Sequence, residues 1–533
     1  MKTPYVKSLV MALSLAFALP AQAATEREQL EALRATTQAI LDALVEKGVL
    51  TPEAAAGLVK QAEIKGQEQA EAAVKADAAS GVVRVPYIPE HVKREIREEI
   101  RQEVVAQAKT EQWGNVNAVP EWVDRLKWSG DIRLRYQNDL FAANNAPGSD
   151  FAVEPYGQGS FPDYINTQED RERYRIRARL GLSAKITDSV SAGFRITTGD
   201  LTDPVSTNQT LGNGFNKFSL VLDRAFATVQ PRDWLSISGG RIPNPFFSTD
   251  LVWDDDLNFE GVSATAMPWV RSDSDAKPFF TVGAFPLQEV ETSPTNRARD
   301  KWLYAAQAGL DWKMNASTRW RFGLAYYDYR NIAAVPDDVP FDFLYDYADS
   351  VLKSRQKGNT RFKVAPNDRP DLFGLAADYS LVNLTAAVDL AHFEPVHVIL
   401  DGDVVKNVGY DAAQVNSRLV SSGPQAARTL GWQSRLTVGW PSIQNQGDWQ
   451  VFMGYRHLER DAVLDAFADS DFRLGGTNSK GFFIGGQYGL DRNSWLSAKW
   501  LSADQIDGNI NPNTLKMDQF STDVIQVDFN AKF

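Results

Sequence analysis

The sequence predicts an all-β transmembrane barrel of 16 antiparallel strands, with a smaller N-terminal α-helical periplasmic segment. Three observations lead there. From Trp128 onward apolar and polar residues alternate with period two. The connections between the alternating runs are short and long in turn. Tryptophans gather beside the short connections. Period-two alternation gives a strand one wet and one greasy face. Short turns on one side and long loops on the other are the pattern of an outer-membrane barrel.

Composition sets the outer limits. The chain has 533 residues, a formal net charge of −12, 11% aromatics and no cysteine. Zero cysteine excludes a disulfide scaffold, a thiolate metal site and a thiol nucleophile. The acidic balance argues against a nucleic-acid partner.

Residues 1–23 read as a secretory signal peptide. Lys2 and Lys7 precede a short apolar run from Ser8 to Leu19, and Ala21-Gln22-Ala23 offers a cleavage site. No later apolar run reaches the length of a membrane-spanning helix, so a membrane domain has to be a closed barrel. Residues 24–112 carry helical periodicity. Leu30, Leu33, Thr37, Ile40 and Leu44 form a heptad seam, and Val92, Ile96, Ile100 and Val104 form a second stripe. We expect a periplasmic coiled-coil or spacer segment, a linker over 113–127, and the barrel over 128–533.

Strands are expected near 128–138, 171–187, 189–199, 218–231, 233–242, 257–268, 278–288, 301–314, 318–330, 371–381, 383–393, 427–440, 447–459, 479–490, 492–503 and 521–533. One of the short turns is then Val382, and 394–426 is a long loop. Asp223-Arg224 and Gly240-Arg241 break the parity of their strands, which predicts either a bulge there or a misplaced strand boundary, and leaves Arg224 and Arg241 as weaker lumen candidates than the main set. Trp128, Trp234, Trp312, Trp320, Trp440, Trp449 and Trp495 fall at the short-turn ends, as an aromatic girdle at one membrane interface would.

The polar face carries the chemistry. Arg133, Arg135, Arg171, Arg173, Arg175, Arg177, Arg179 and Arg195 share it on the first three strands, as a basic wall lining the pore. On a lipid face each would cost about 2–4 kcal/mol at the midplane, which assigns them to the lumen. The third long loop, 243–256, mixes Phe246, Phe247 and Trp253 with Asp250, Asp254, Asp255 and Asp256. Folded inward, its aromatics would pack on the wall and its carboxylates would cross the lumen, setting acid against base in a constriction. Loop 331–370 is acidic in its first half and basic in its second, and the sequence leaves its role open. The four histidines form no metal cluster. His392 and His457 share parity with lipid-facing neighbours near the outer strand ends, and His397 falls in a long loop. No catalytic residue, cofactor or metal is expected.

The run Pro120-Glu121-Trp122-Val123-Asp124-Arg125-Leu126-Lys127-Trp128-Ser129-Gly130-Asp131-Ile132-Arg133-Leu134-Arg135-Tyr136 resembles the opening segment of the putative porin family of Gram-negative bacteria. The Arg-x-Arg-x-Arg second strand, the Gly240-Arg241-x-Pro-x-Pro-Phe start of the third loop, Trp253-Asp254-x-Asp256-Leu257 and the terminal Phe533 are similar too. The resemblance implies an outer-membrane barrel in contact with lipid and lipopolysaccharide, inserted by the barrel assembly machinery with Phe533 as part of the signal. Similarity to diffusion porins with an N-terminal coiled coil implies a homotrimer, although the seam here is interrupted at Gly48 and Pro86. The expected function is passive diffusion of small hydrophilic solutes, with a lean toward anions. The alternatives are a non-conducting barrel that tethers the membrane through its helices, and a lipid-modifying enzyme using His392 or His457.

Overall fold

In the computed structural model, residues 125–147, 166–270, 273–291, 299–336, 357–364, 373–419, 425–508 and 519–533 are described. The expected signal peptide and helical segment lie outside them. Sixteen long strands form one closed sheet: β1 (Leu126–Phe141), β2 (Arg171–Lys185), β3 (Val190–Thr197), β4 (Val221–Arg232), β5 (Leu235–Pro243), β6 (Asn258–Ala266), β7 (Ala276–Gln288), β8 (Lys301–Asn315), β9 (Thr318–Arg330), β10 (Ser380–Phe393), β11 (Val396–Asn407), β12 (Leu430–Gly439), β13 (Trp449–Leu458), β14 (Ser479–Asp491), β15 (Ser494–Gln505) and β16 (Thr522–Lys532). Each pairs antiparallel with its sequence neighbours. The ring closes where β1 meets β16, from Asp131 opposite Lys532 to Phe141 opposite Thr522. Closure leaves no sheet edge, so every ladder group has a partner without water.

Burial runs inside out. Ile132, Leu134, Tyr174, Leu324, Tyr326, Met453 and Phe529 are exposed, while Gln137, Asp139, Asn383, Asp403, Gln433, Arg456 and Gln526 are buried. Water would drive the opposite arrangement. A cylinder with its greasy residues outside and its polar residues inside is matched to lipid around it and a polar interior within.

The strand count agrees with the sequence reading, but two strands were misplaced. Residues 383–393 belong to β10, which starts at Ser380, and Val382 lies within that strand, opposite Lys406 of β11. The turn is Glu394-Pro395, and part of the expected long loop 394–426 is strand β11. A single-residue turn has no backbone solution, since the tightest common hairpin needs two. Of the expected strand 371–381, Ser380 and Leu381 open β10, and Phe373–Leu375 pairs with Arg361–Lys363 outside the barrel sheet. The shift moves two histidines. His392 sits at the short-turn end, and His397 opens β11 with Nδ1 at 2.7 Å from Asp389. His457 lies under the Trp432 ring on the lipid face, with ring centroids 6.1 Å apart. The long loop after β11 also holds a short helix, α1 (Ala412–Arg418), capped by the Asp411 side chain.

A bulge is present at the first of the two expected places, while the ladder runs in regular register through Gly240-Arg241. Arg195 pairs with Arg224 and Ile196 with Leu222, which leaves Asp223 as the extra residue. Gly240 lies opposite Phe226 with φ +116°, and a Cβ there would come 2.3 Å from the Ala225 carbonyl oxygen. Only glycine tolerates that backbone.

The tryptophans at the short-turn ends divide. Trp128, Trp234 and Trp312 are exposed, and Trp440 and Trp449 meet edge to face at 5.6 Å. Trp320 stacks on Phe322, two residues along the same strand face. Trp495 leaves this set. It alternates with exposed Leu496 and shares parity with Ser497 and Lys499, and the Lys532 ammonium lies 5.5 Å from its ring centroid. It lies on the inward face, opposite buried Asn530 of β16.

Candidate functional site: two inward loops and a basic wall

The third long loop leaves β5 at Pro243 and crosses to the far wall. The Phe247 N–H donates to Gln307 Oε1 on β8 at 2.8 Å, and Gln307 Nε2 returns a bond to the Phe247 carbonyl. The Arg321 guanidinium of β9 lies 4.2 Å from the Phe247 ring centroid. Phe246 and Trp253 pack edge to face on Tyr327 at 5.3 and 5.1 Å. Further along, the Thr249 hydroxyl donates to Asp403 of β11, and Asp250 accepts from Gln433 of β12 and Arg456 of β13. The loop then returns, and Asp256 meets Arg179 of β2 at 3.1 Å.

The carboxylates of this loop have four different surroundings. Asp250 and Asp256 are buried, which would raise them, but Arg456 and Arg435 hold the first below the usual carboxylate range, and Arg177 and Arg179 the second. Asp254 is buried beside Asp469 and Asp256, and both effects push it well above that range. Asp255 reaches the lumen water. Enclosure by the barrel and the carboxylates of Asp250, Asp469 and Asp256 push it up to about 6.

A second loop turns inward, and the sequence reading gave it no role. Residues 459–478, between β13 and β14, are almost wholly buried. The Asp254 N–H donates to the Phe467 carbonyl at 3.0 Å, and the Ser470 N–H donates to Asp254 Oδ2 at 2.9 Å. Arg456 is held between the two loops, donating to Asp250 of one and Asp469 of the other. Asp471 accepts from Arg135 of β1 and Gln526 of β16, and burial is outweighed there by Arg135, Lys499 and Arg133, which hold it low. The signal was in the sequence. Ala462-Val463-Leu464-Asp465-Ala466-Phe467-Ala468-Asp469-Ser470-Asp471-Phe472 mixes apolar and acidic residues much as the third loop does. Loop 331–370 contributes to the same body through its described part: Thr360 bonds Asp461 and Arg361 pairs with Asp465.

The arginines of the first three strands are placed as follows. Arg135 is buried and bonded to Asp528 and Asp471. Arg173 pairs with Asp139, Arg177 with Asp131, and Arg179 with both Asp131 and Asp256. Arg195 pairs with Asp223. Arg133 and Arg175 bond amides, Asn208 at 2.5 Å and Gln137 at 3.3 Å. Arg171 is exposed at the long-loop end of β2. Arg224 and Arg241, set aside by the parity break, also turn inward: Arg224 donates to Asn258, and Arg241 to the Asp223 carbonyl and to Glu260. Beside them a cavity of about 560 Å³ is lined by Thr198, Asp203, Asp223, Arg241, Glu260 and Trp253 among others. Among the described residues no group of acidic or histidine side chains is arranged to hold a metal.

The sequence model of the family described as "Putative porin" matches residues 34–533. The chain belongs to that family. Membership places it among outer-membrane porins, and a channel rather than an enzyme is the kind of protein the family describes. Among solved structures, a high-pH form of Pseudomonas putida OprB is similar at 12% identity and TM-score 0.43, covering 79% of this porin and 97% of that chain. Salmonella typhi OmpF, in a complex with daunomycin, is similar at 8% identity and TM-score 0.39, covering 76% and 97%. No curated protein matches this porin.

Proposed function

We propose that this porin is a diffusion channel for small hydrophilic solutes, narrowed by the third loop and biased toward anions. The observation that carries the reading is the course of that loop, tied across the interior to Arg179 on one wall and Arg456 on another. A loop fixed at both sides divides the lumen and sets fixed charges along what remains. The bias rests on the basic wall. Most of its arginines are matched by touching carboxylates, but among the described residues Arg133 and Arg175 are matched only by amides. The Trp128, Trp234, Trp312, Trp320, Trp440 and Trp449 rings would anchor the short-turn end at one membrane interface, facing the periplasm. Phe533 would serve assembly, and lipid, lipopolysaccharide and a homotrimeric arrangement belong to the same reading.

Planar-bilayer reconstitution tests it. Under a KCl gradient the reversal potential is expected on the chloride side. A potassium-side potential would remove the anion bias. A second reading has an observation of its own: the inward loops bury a continuous apolar core with the wall, including Leu251, Trp253, Tyr327, Leu375, Tyr379 and Leu464. A barrel closed by that core would be structural, and absence of conductance would decide for it.

A further inference from the structure

We infer that Arg133 and Arg175 form an oxoanion subsite in the lumen, fitted to a carboxylate or phosphate group carried by a small solute. The inference rests on the channel reading and assigns its specificity to one place.

The two side chains come from adjacent strands. Arg133 lies opposite Arg177 and Arg175 opposite Arg135, so Arg133 and Arg175 are diagonal neighbours on one face, about 7–8 Å apart at the backbone. The other diagonal holds Arg135, already matched by Asp528 and Asp471, and Arg177, matched by Asp131. The first pair is different. A guanidinium carries five N–H donors and no acceptor, yet Arg133 gives one bond to Asn208 and Arg175 one to Gln137. Their Nε atoms are enclosed and meet no acceptor among the described residues. Asp528 and Asp471 act on Arg133 from longer range, and Asp471 and Asp203 on Arg175, but the Asp528 oxygens are taken by Arg135 and the Asp471 oxygens by Arg135 and Gln526. The result is a pair of half-satisfied guanidiniums on one inward face of the wall. Planar forks of this kind bind carboxylate and phosphate oxygens through two parallel bonds, which a lysine ammonium does not reproduce. The other wall arginines that touch carboxylates are poorer candidates, because a solute would first have to displace an internal anion.

Two readouts on the full-length protein separate this claim from the channel reading. The first is calorimetric titration of the detergent-solubilised protein with succinate and, separately, with inorganic phosphate. The second is the block of chloride current by the same two probes in bilayers. The wild type is expected to bind at least one probe saturably, and which one it binds assigns the subsite to carboxylate or to phosphate. In R133Q/R175Q the dissociation constant and the half-blocking concentration should both rise at least tenfold. Arg232→Gln, exposed at the short-turn end of β4 and outside the wall, should change neither by more than twofold. Equal binding by wild type and double variant, or no binding of either probe by the wild type, overturns the subsite. Binding that is lost in the double variant, in a protein that conducts no current, keeps the subsite and removes the channel.

Discussion

At the scale of single residues, partner identity decides what each charge does. Arg456 is buried and held by Asp250 and Asp469. Removing it leaves two enclosed carboxylates facing one another, so Arg456→Ala should cost about 3–5 kcal/mol, read as a lower unfolding midpoint in detergent. Asp255 has the opposite character, since it is crowded by other acids and open to lumen water. With its pKa near 6 it is ionised at pH 7.5 and largely protonated at pH 5. Acidification removes a negative charge from the path, so the chloride-to-potassium permeability ratio should rise between those pH values. In Asp255→Asn most of that rise should disappear. A wild-type ratio that stays constant across this range would show that Asp255 lies off the conducting path.

At the scale of elements, the two inward loops act as one body. They share the backbone bond from Asp254 to Phe467, the Ser470 bond to Asp254, and the Arg456 clasp. A loop tethered only by its own ends would fluctuate, whereas one bonded to five strands and a second loop holds a fixed position. Deleting residues 465–472 should therefore increase single-channel conductance and current noise together, because the third loop loses its support as well as its neighbour. An unchanged conductance would place the second loop outside the conducting path. The turn between β10 and β11 belongs to this scale too. The alternation of 383–393 was legible, but the run from Val396 was hidden. Val398 and Leu400 are followed by Gly402, which interrupts the apolar face, while Asp401 and Asp403 make the stretch look like solvent. Asp403 is in fact buried against Thr249 of the third loop, a partner more than 150 residues away that no local window contains.

At the scale of the molecule, the inverted burial pattern is the decisive property. With apolar side chains outside and a polar interior, the barrel has to fold in lipid or detergent. The C-terminal strand β16 closes the ring against β1, and the Phe533 N–H and carbonyl both bond Gly130. Deleting Phe533 removes both bonds at the seam. The expected outcome is a lower yield of folded barrel in outer-membrane fractions, measured as the heat-modifiable band on electrophoresis, with normal conductance in the molecules that do assemble. A full yield would show that the seam needs only the side-chain ladder.

The sequence by itself determined the class of fold, the strand number and, for most strands, the face that meets lipid. Those follow from period-two alternation, a property of neighbours along the chain. Only the tertiary structure decided which charges cancel. Arg135 and Arg133 are two residues apart on one strand and look equivalent in the sequence, yet one is neutralised by Asp471 and Asp528 and the other is left with an amide. Closing a ring brings β1 beside β16 and folds two distant loops between the walls. Electrostatic energy depends on those distances through space, which local pattern does not encode.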